Sequence, residues 1–135
     1  MPESFSKKVA LIRGYLEQLE KYLTECEDGN PSDSNVFSIE RLFQLMVDEA
    51  VDVNTLILEK EKRPLPDTNQ ATFEALTDAG GISRDLHAKI AGSVGLRNRL
   101  VHRYETVQRT VLLREAKRYT EGYKEYLATV IKHYL

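Results

Sequence analysis

The chain has 135 residues, of which 41% are hydrophobic and 30% charged, a size and composition that suit one globular domain with its own core and no metal or disulfide staples. Its unbroken aliphatic runs are as short as Val9–Ile12, which excludes a helix that spans a bilayer. The formal net charge of −2 argues against a general nucleic-acid coat protein, but it hides an uneven distribution, with 9 Lys and Arg against 3 Asp and Glu in residues 84–118 and 8 against 16 in residues 1–83.

The first element follows from Val9, Ile12, Leu16, Leu19, Leu23 and Cys26, whose alternating steps of three and four predict a helix from about Ser4 to Asp28 with one buried stripe. Charges interrupt its apolar positions, so it lacks the hydrophobic block of a secretory signal, and a mature start near Met1 is expected. Cys26 is the single cysteine and sits in the stripe. It has no internal disulfide partner, which fits a core position and a reducing, cytoplasmic location.

Gly29, Asn30 and Pro31 end that helix, and Ser32, Asp33 or Ser34 can cap the next. Ile39, Phe43, Met46, Ala50, Val53 and Ile57 carry the second helix over about 34–62, until Pro64 and Pro66 remove backbone donors. A short helix over about 69–79 is closed by Ala79–Gly80–Gly81. A fourth helix is expected to run unbroken from a Ser83 cap to about Glu105, with Leu86, Ile90, Val94 and Val101 on one side. Gly92 and Gly95 lie inside it at a cost of about 1 kcal/mol each, which calls for close approach of another helix or chain. The last helix, about 108–134, places Leu112, Ala116, Tyr119, Tyr123, Leu127, Val130 and Tyr134 on its stripe, with Tyr119, Tyr123 and Tyr134 expected in the core. Strand alternation, repeats and low-complexity segments are all missing. Residues 1–135 therefore read as one all-α domain, an antiparallel four-helix bundle with an additional short helix.

Chemistry concentrates in the fourth helix, where Arg97, Asn98, Arg99, His102, Arg103 and Tyr104 stand close together. Arginine matches charge developing on a phosphate oxygen, and histidine is the side chain whose ordinary pKa lets it exchange protons near neutrality. Together they suit metal-free cleavage of a ribose phosphodiester by its own 2′-hydroxyl. On an ideal helix Arg97 and His102 are about 140° apart, so their heads converge only if the arginine wraps, the helix ends near His102, or a two-fold partner brings a second copy. Asn98, four residues before His102, is placed to orient the imidazole. Asp48 and Asp52, one turn apart on the second helix, are candidates to position Arg97. Two plainer readings stand beside these: His102 as a helix-end histidine on a backbone carbonyl, and Arg97 as the ion-pair partner of an acid. His87, His102 and His133 have no Cys or His at a ligand spacing, so no metal site is expected.

From its first helix to its last the sequence resembles the HEPN superfamily, specifically the HepT toxins of the MntA–HepT type of toxin–antitoxin pair. The most specific part is Arg97-x4-His102-x-Tyr104, with Gly95 before it and Asn98 after the arginine. The resemblance implies a metal-independent, cofactor-free endoribonuclease that cleaves tRNA or mRNA. It further implies a homodimer in which Arg97 and His102 of both subunits line a cleft at the two-fold axis, and no association with membranes. In such pairs a MntA-like nucleotidyltransferase antitoxin modifies the tyrosine, here Tyr104, with AMP. Some HEPN relatives are instead noncatalytic substrate-binding or scaffold subunits of nucleotidyltransferases; retention of all three motif residues favours the active class.

Overall fold

The computed structural model describes residues 1–102 and 107–135. The described residues form α1 (Glu3–Glu25), a 3-10 turn (Cys26–Asp28), α2 (Asp33–Lys60), α3 (Asn69–Asp78), α4 (Arg84–Ile90), α5 (Ser93–His102) and α6 (Arg109–Tyr134), and they include no strand. None of these helices is long and apolar enough to cross a membrane.

The stripes read from spacing are the faces that pack. Val9, Ile12, Leu16 and Leu19 of α1 are buried against α2, whose Ile39, Phe43, Met46, Ala50, Val53 and Ile57 are all fully buried. Removing such side chains from water supplies about 1.5–3 kcal/mol each, which is what holds the α1–α2 hairpin shut. Cys26 is buried at its end. Of the three candidate caps after Pro31, Ser32 is the one used: its Oγ accepts from the Asn35 amide at 3.1 Å. Ser83 caps α4 in the same way, accepting from the Leu86 amide at 3.0 Å. Helix α3 closes at Gly80, whose φ of +81° lets the Gly80 and Gly81 amides donate back to the carbonyls of Thr77 and Leu76.

The expected single helix from Ser83 to Glu105 is instead two helices separated by a turn at Ala91–Gly92, and its last residues, Arg103 to Glu105, lie outside the described residues. The reason is tertiary. Helix α4 packs on α6, whereas α5 packs on α2, so the chain must change direction between them. Ser93 secures the turn: its Oγ lies 2.7 Å from the Ile90 carbonyl and 2.7 Å from the Tyr123 hydroxyl. At Gly92 the Tyr119 hydroxyl occupies the place a β-carbon would take, so a larger residue there obliges that side chain to shift. Within the chain the close approach expected of both glycines is met at Gly92, whereas no described atom lies within reach of a β-carbon at Gly95.

Two further differences concern tyrosines. Tyr134 is half-buried and reaches Glu61, whereas Tyr126, absent from the expected stripe, is completely buried. Its hydroxyl donates to Asn54 Oδ1 at 2.6 Å, and Asn54 Nδ2 donates to Thr72 Oγ1 at 3.2 Å, joining α6, α2 and α3 through a polar link inside the core.

Burial pushes the phenols of Tyr123 and Tyr126 above the usual value of 10.0. The folded state therefore keeps protons that the unfolded chain releases, so the stability they contribute is intact below pH 10 and drains away as pH rises further. Circular dichroism along an alkaline titration is expected to show unfolding that begins above this point and is shallower in Tyr126→Phe. The two glycines differ in the opposite sense from their sequence equivalence: Gly92→Ala is expected to cost about 1–3 kcal/mol in a denaturant melt by forcing Tyr119 to move. Gly95→Ala is expected to stabilise by about 0.5–1 kcal/mol, because it adds helix propensity without a clash.

Candidate active site

The candidate residues lie on α5 and on the middle of α2, which the break at Gly92 brings against each other. Leu96 and Leu100 bury the inner face of α5, and Arg97 stands beside them with its side chain 18% exposed. The guanidinium grips Asp48 side-on: Nε donates to Oδ1 at 2.7 Å and Nη2 to Oδ2 at 3.3 Å. Its remaining nitrogen, Nη1, donates to Asn98 Oδ1 at 3.2 Å. Three charge-assisted bonds fix the plane of the group, which is the geometry that makes arginine a template for an oxyanion.

The structure thus brings together Arg97, Asp48 and Asn98. Asn98, considered as a guide for the imidazole, spends its carbonyl oxygen on Arg97. Asp52 does not join this group. Its Oδ2 accepts from Lys8 Nζ at 2.9 Å, and the same ammonium donates to Glu49 at 2.9 Å. Of the two carboxylates proposed to position Arg97, only Asp48 is therefore in contact with it. Lys8 had no signal in the sequence, since it lies 41 and 44 residues from its two partners. Asp52 and then Glu49 hold its ammonium above the usual lysine range.

His102 is exposed on the last residue of α5. At about 100° per residue it lies well round the helix from Arg97, which faces α2. Tyr104 lies outside the described residues. At the start of α6, Arg109 donates to Asp33 at the start of α2 at 2.7 Å. Among the described residues no three His, Cys, Asp or Glu side chains gather as metal ligands would.

The family described as Ribonuclease HepT-like matches residues 12–130. A tRNA nuclease HepT from Aphanizomenon flos-aquae (strain 2012/KM1/D3) is 36% identical over 110 residues, 78% of this chain and 73% of that protein. Among solved structures, the tri-AMPylated Shewanella oneidensis HEPN toxin in complex with MNT antitoxin superposes with a TM-score of 0.88 at 16% identity, covering 98% of this chain and 100% of that one. A toxin–antitoxin structure with AMP-PNP gives 0.87 at 15% identity, covering 98% and 100%. These two likenesses concern the fold, which is all-α and of the HEPN type. By family match and by sequence identity, the chain belongs to the HepT-like ribonucleases.

Asp48→Asn keeps an acceptor beside Arg97 but removes its charge. It is expected to lower stability by about 1 kcal/mol in a urea melt, with the loss shrinking at high salt, as befits a half-exposed ion pair.

Proposed function

We propose that this protein is a metal-independent endoribonuclease, the toxin of a toxin–antitoxin pair, with Arg97 and His102 as its catalytic residues. The observation that carries this reading is the guanidinium of Arg97 on α5, fixed by Asp48 of α2 and by Asn98, on the short helix that ends in the exposed His102, in a chain of the HepT-like family.

The chemistry follows from the side chains. The imidazole takes the proton of a ribose 2′-hydroxyl as the O2′–P bond forms, and the P–O5′ bond breaks with a proton delivered to O5′. The products are a 2′,3′-cyclic phosphate and a 5′-hydroxyl, with no oxidant or external nucleophile. The guanidinium stabilises charge on the non-bridging oxygens. Asp48 acts through Arg97 as a positioning residue.

A homodimer completes this site. Arg97 turns toward α2 while His102 ends α5 on another face, so one chain supplies the two heads on diverging directions. A two-fold partner contributes second copies of both, and with two imidazoles one serves as base and the other as acid. Neutralisation is assigned to AMP transfer onto Tyr104 by a MntA-like nucleotidyltransferase. A phosphodiester placed two residues from His102 adds negative charge that repels RNA and occupies donors of the site. The substrate is RNA of the tRNA or mRNA class, which the tRNA nuclease named among the relatives supports for tRNA.

The purified chain is expected to cleave RNA in EDTA, leaving cyclic phosphate ends. His102→Ala and Arg97→Ala should each lower the rate by at least about 100-fold. Undiminished cleavage by His102→Ala would remove the assignment, and saturable nucleotide binding with no turnover in the wild type would point to a noncatalytic subunit instead.

A further inference from the structure

Lys8 borders the candidate site without a part in the chemistry assigned to it. Its neighbours in α1, Phe5, Val9 and Ile12, are buried, so the helix seats the lysine at a fixed point over the middle of α2. There Nζ donates to Glu49 Oε2 and to Asp52 Oδ2, both at 2.9 Å, with the side chain 27% exposed. Lys7, one residue earlier, behaves as an ordinary surface lysine: it is 73% exposed and reaches Glu3 of its own helix at 3.6 Å.

The two acids that Lys8 holds stand beside the one that Arg97 uses. Asp48, Glu49 and Asp52 occupy little more than one turn of α2, and Asp48 and Asp52 share a face of it. Arg97 Nε and Nη2 bond Asp48 at 2.7 and 3.3 Å, whereas Asp52 is engaged from the α1 side. Glu49, with its side chain 19% exposed, is a carboxylate that needs a cationic partner whether or not a substrate is present. The bridge adds little to the hold of α1 on α2, since buried apolar side chains already supply that and part-exposed ion pairs are worth little net. Its consequence is which carboxylate is left for Arg97.

We propose that Lys8 is a positioning residue for the phosphodiester cleavage assigned above: by occupying Glu49 and Asp52 it leaves Asp48 as the carboxylate that sets the plane of Arg97. This rests on the ribonuclease reading for its effect on rate, while the geometry can be read without RNA. Removing the ammonium makes the cluster more negative by one charge, whatever else surrounds it. Glu49 and Asp52 then compete with Asp48 for the guanidinium, which exchanges among them and loses the orientation it offers to a non-bridging phosphate oxygen. Because charge on that oxygen develops during the reaction, the loss falls chiefly on kcat rather than on KM.

The test uses the full chain, isotope-labelled for NMR, and follows the Nε–H resonance of Arg97, assigned by its absence from Arg97→Lys. In the wild type the bond to Asp48 is expected to keep this resonance sharp and slow to exchange with water. Lys8→Met is expected to broaden or shift it while the backbone amides keep their dispersion, which separates a change at the site from loss of the fold. The same variant is expected to lower kcat for RNA cleavage about ten-fold with KM within about two-fold of wild type. Adding Glu49→Gln and Asp52→Asn to Lys8→Met removes the competing charges along with the lysine, and should recover the resonance and most of the rate. On an Arg97→Ala background Lys8→Met should slow the residual cleavage no further, because it acts through the guanidinium. If Lys8→Met leaves the Arg97 resonance and kcat unchanged, or if the triple variant stays as slow as Lys8→Met, the positioning role is overturned and the ribonuclease reading stands. A wild type that leaves RNA intact overturns both, even where Lys8→Met disturbs the resonance.

Discussion

The turn at Ala91–Gly92 sets the direction of α5 and with it the partners of the candidate residues it carries. A hydroxyl from Tyr119 fills the space over Gly92, and Ser93 is held between the Ile90 carbonyl and the Tyr123 hydroxyl. Both tyrosines belong to α6, so the last helix of the chain dictates where the internal helix stops and restarts. Without that turn, α4 would carry on along α6 and the basic residues of α5 would project away from α2. With it, α5 leans onto α2 and its arginine finds a carboxylate. A backbone interruption that looks like a local cost of glycine is therefore the device that aims the site.

Charge partition follows from that placement. The acids in the middle of α2 are divided between two cations far apart in the sequence: Lys8 of α1 takes Glu49 and Asp52, and Arg97 of α5 takes Asp48. Partly exposed pairs of this kind contribute little net stability, because Coulomb gain, desolvation and side-chain entropy largely cancel. Their consequence is geometric. Once Lys8 occupies Asp52, Arg97 has a single carboxylate in contact with it, and its guanidinium settles in one plane instead of exchanging between two partners.

Much of the fold was legible in the residue order. The stripes of α1, α2 and α6, the Ser83 cap and the stop at the prolines all depend on interactions within a turn or two, and local spacing reports those faithfully. Tyr126 lies outside the stripe that spacing picks out because its burial comes from other elements: its ring packs on Phe73 of α3 and Tyr123, and its hydroxyl donates to Asn54 of α2. Tyr134 is only half-buried because it is the last residue of α6, where its hydroxyl reaches Glu61 at the rim of the core. At the site, the motif residues were visible as a cluster of unusual chemistry. Spacing treated Asp48 and Asp52 alike, since they share a helix face, and only the position of Lys8 on a different helix separates them.

What the sequence determined by itself is therefore the inventory: an all-α domain, the identity of its amphipathic faces, and a guanidinium, an amide and an imidazole within one short run. These are properties of neighbours along the chain, set by helical periodicity and side-chain chemistry. What only the tertiary structure decided is which partners those groups meet. The break at Gly92 and the choice of Asp48 over Asp52 both arise from side chains tens of residues apart. Such contacts depend on how three or more packed faces close on one another, and no periodicity within a single segment encodes that.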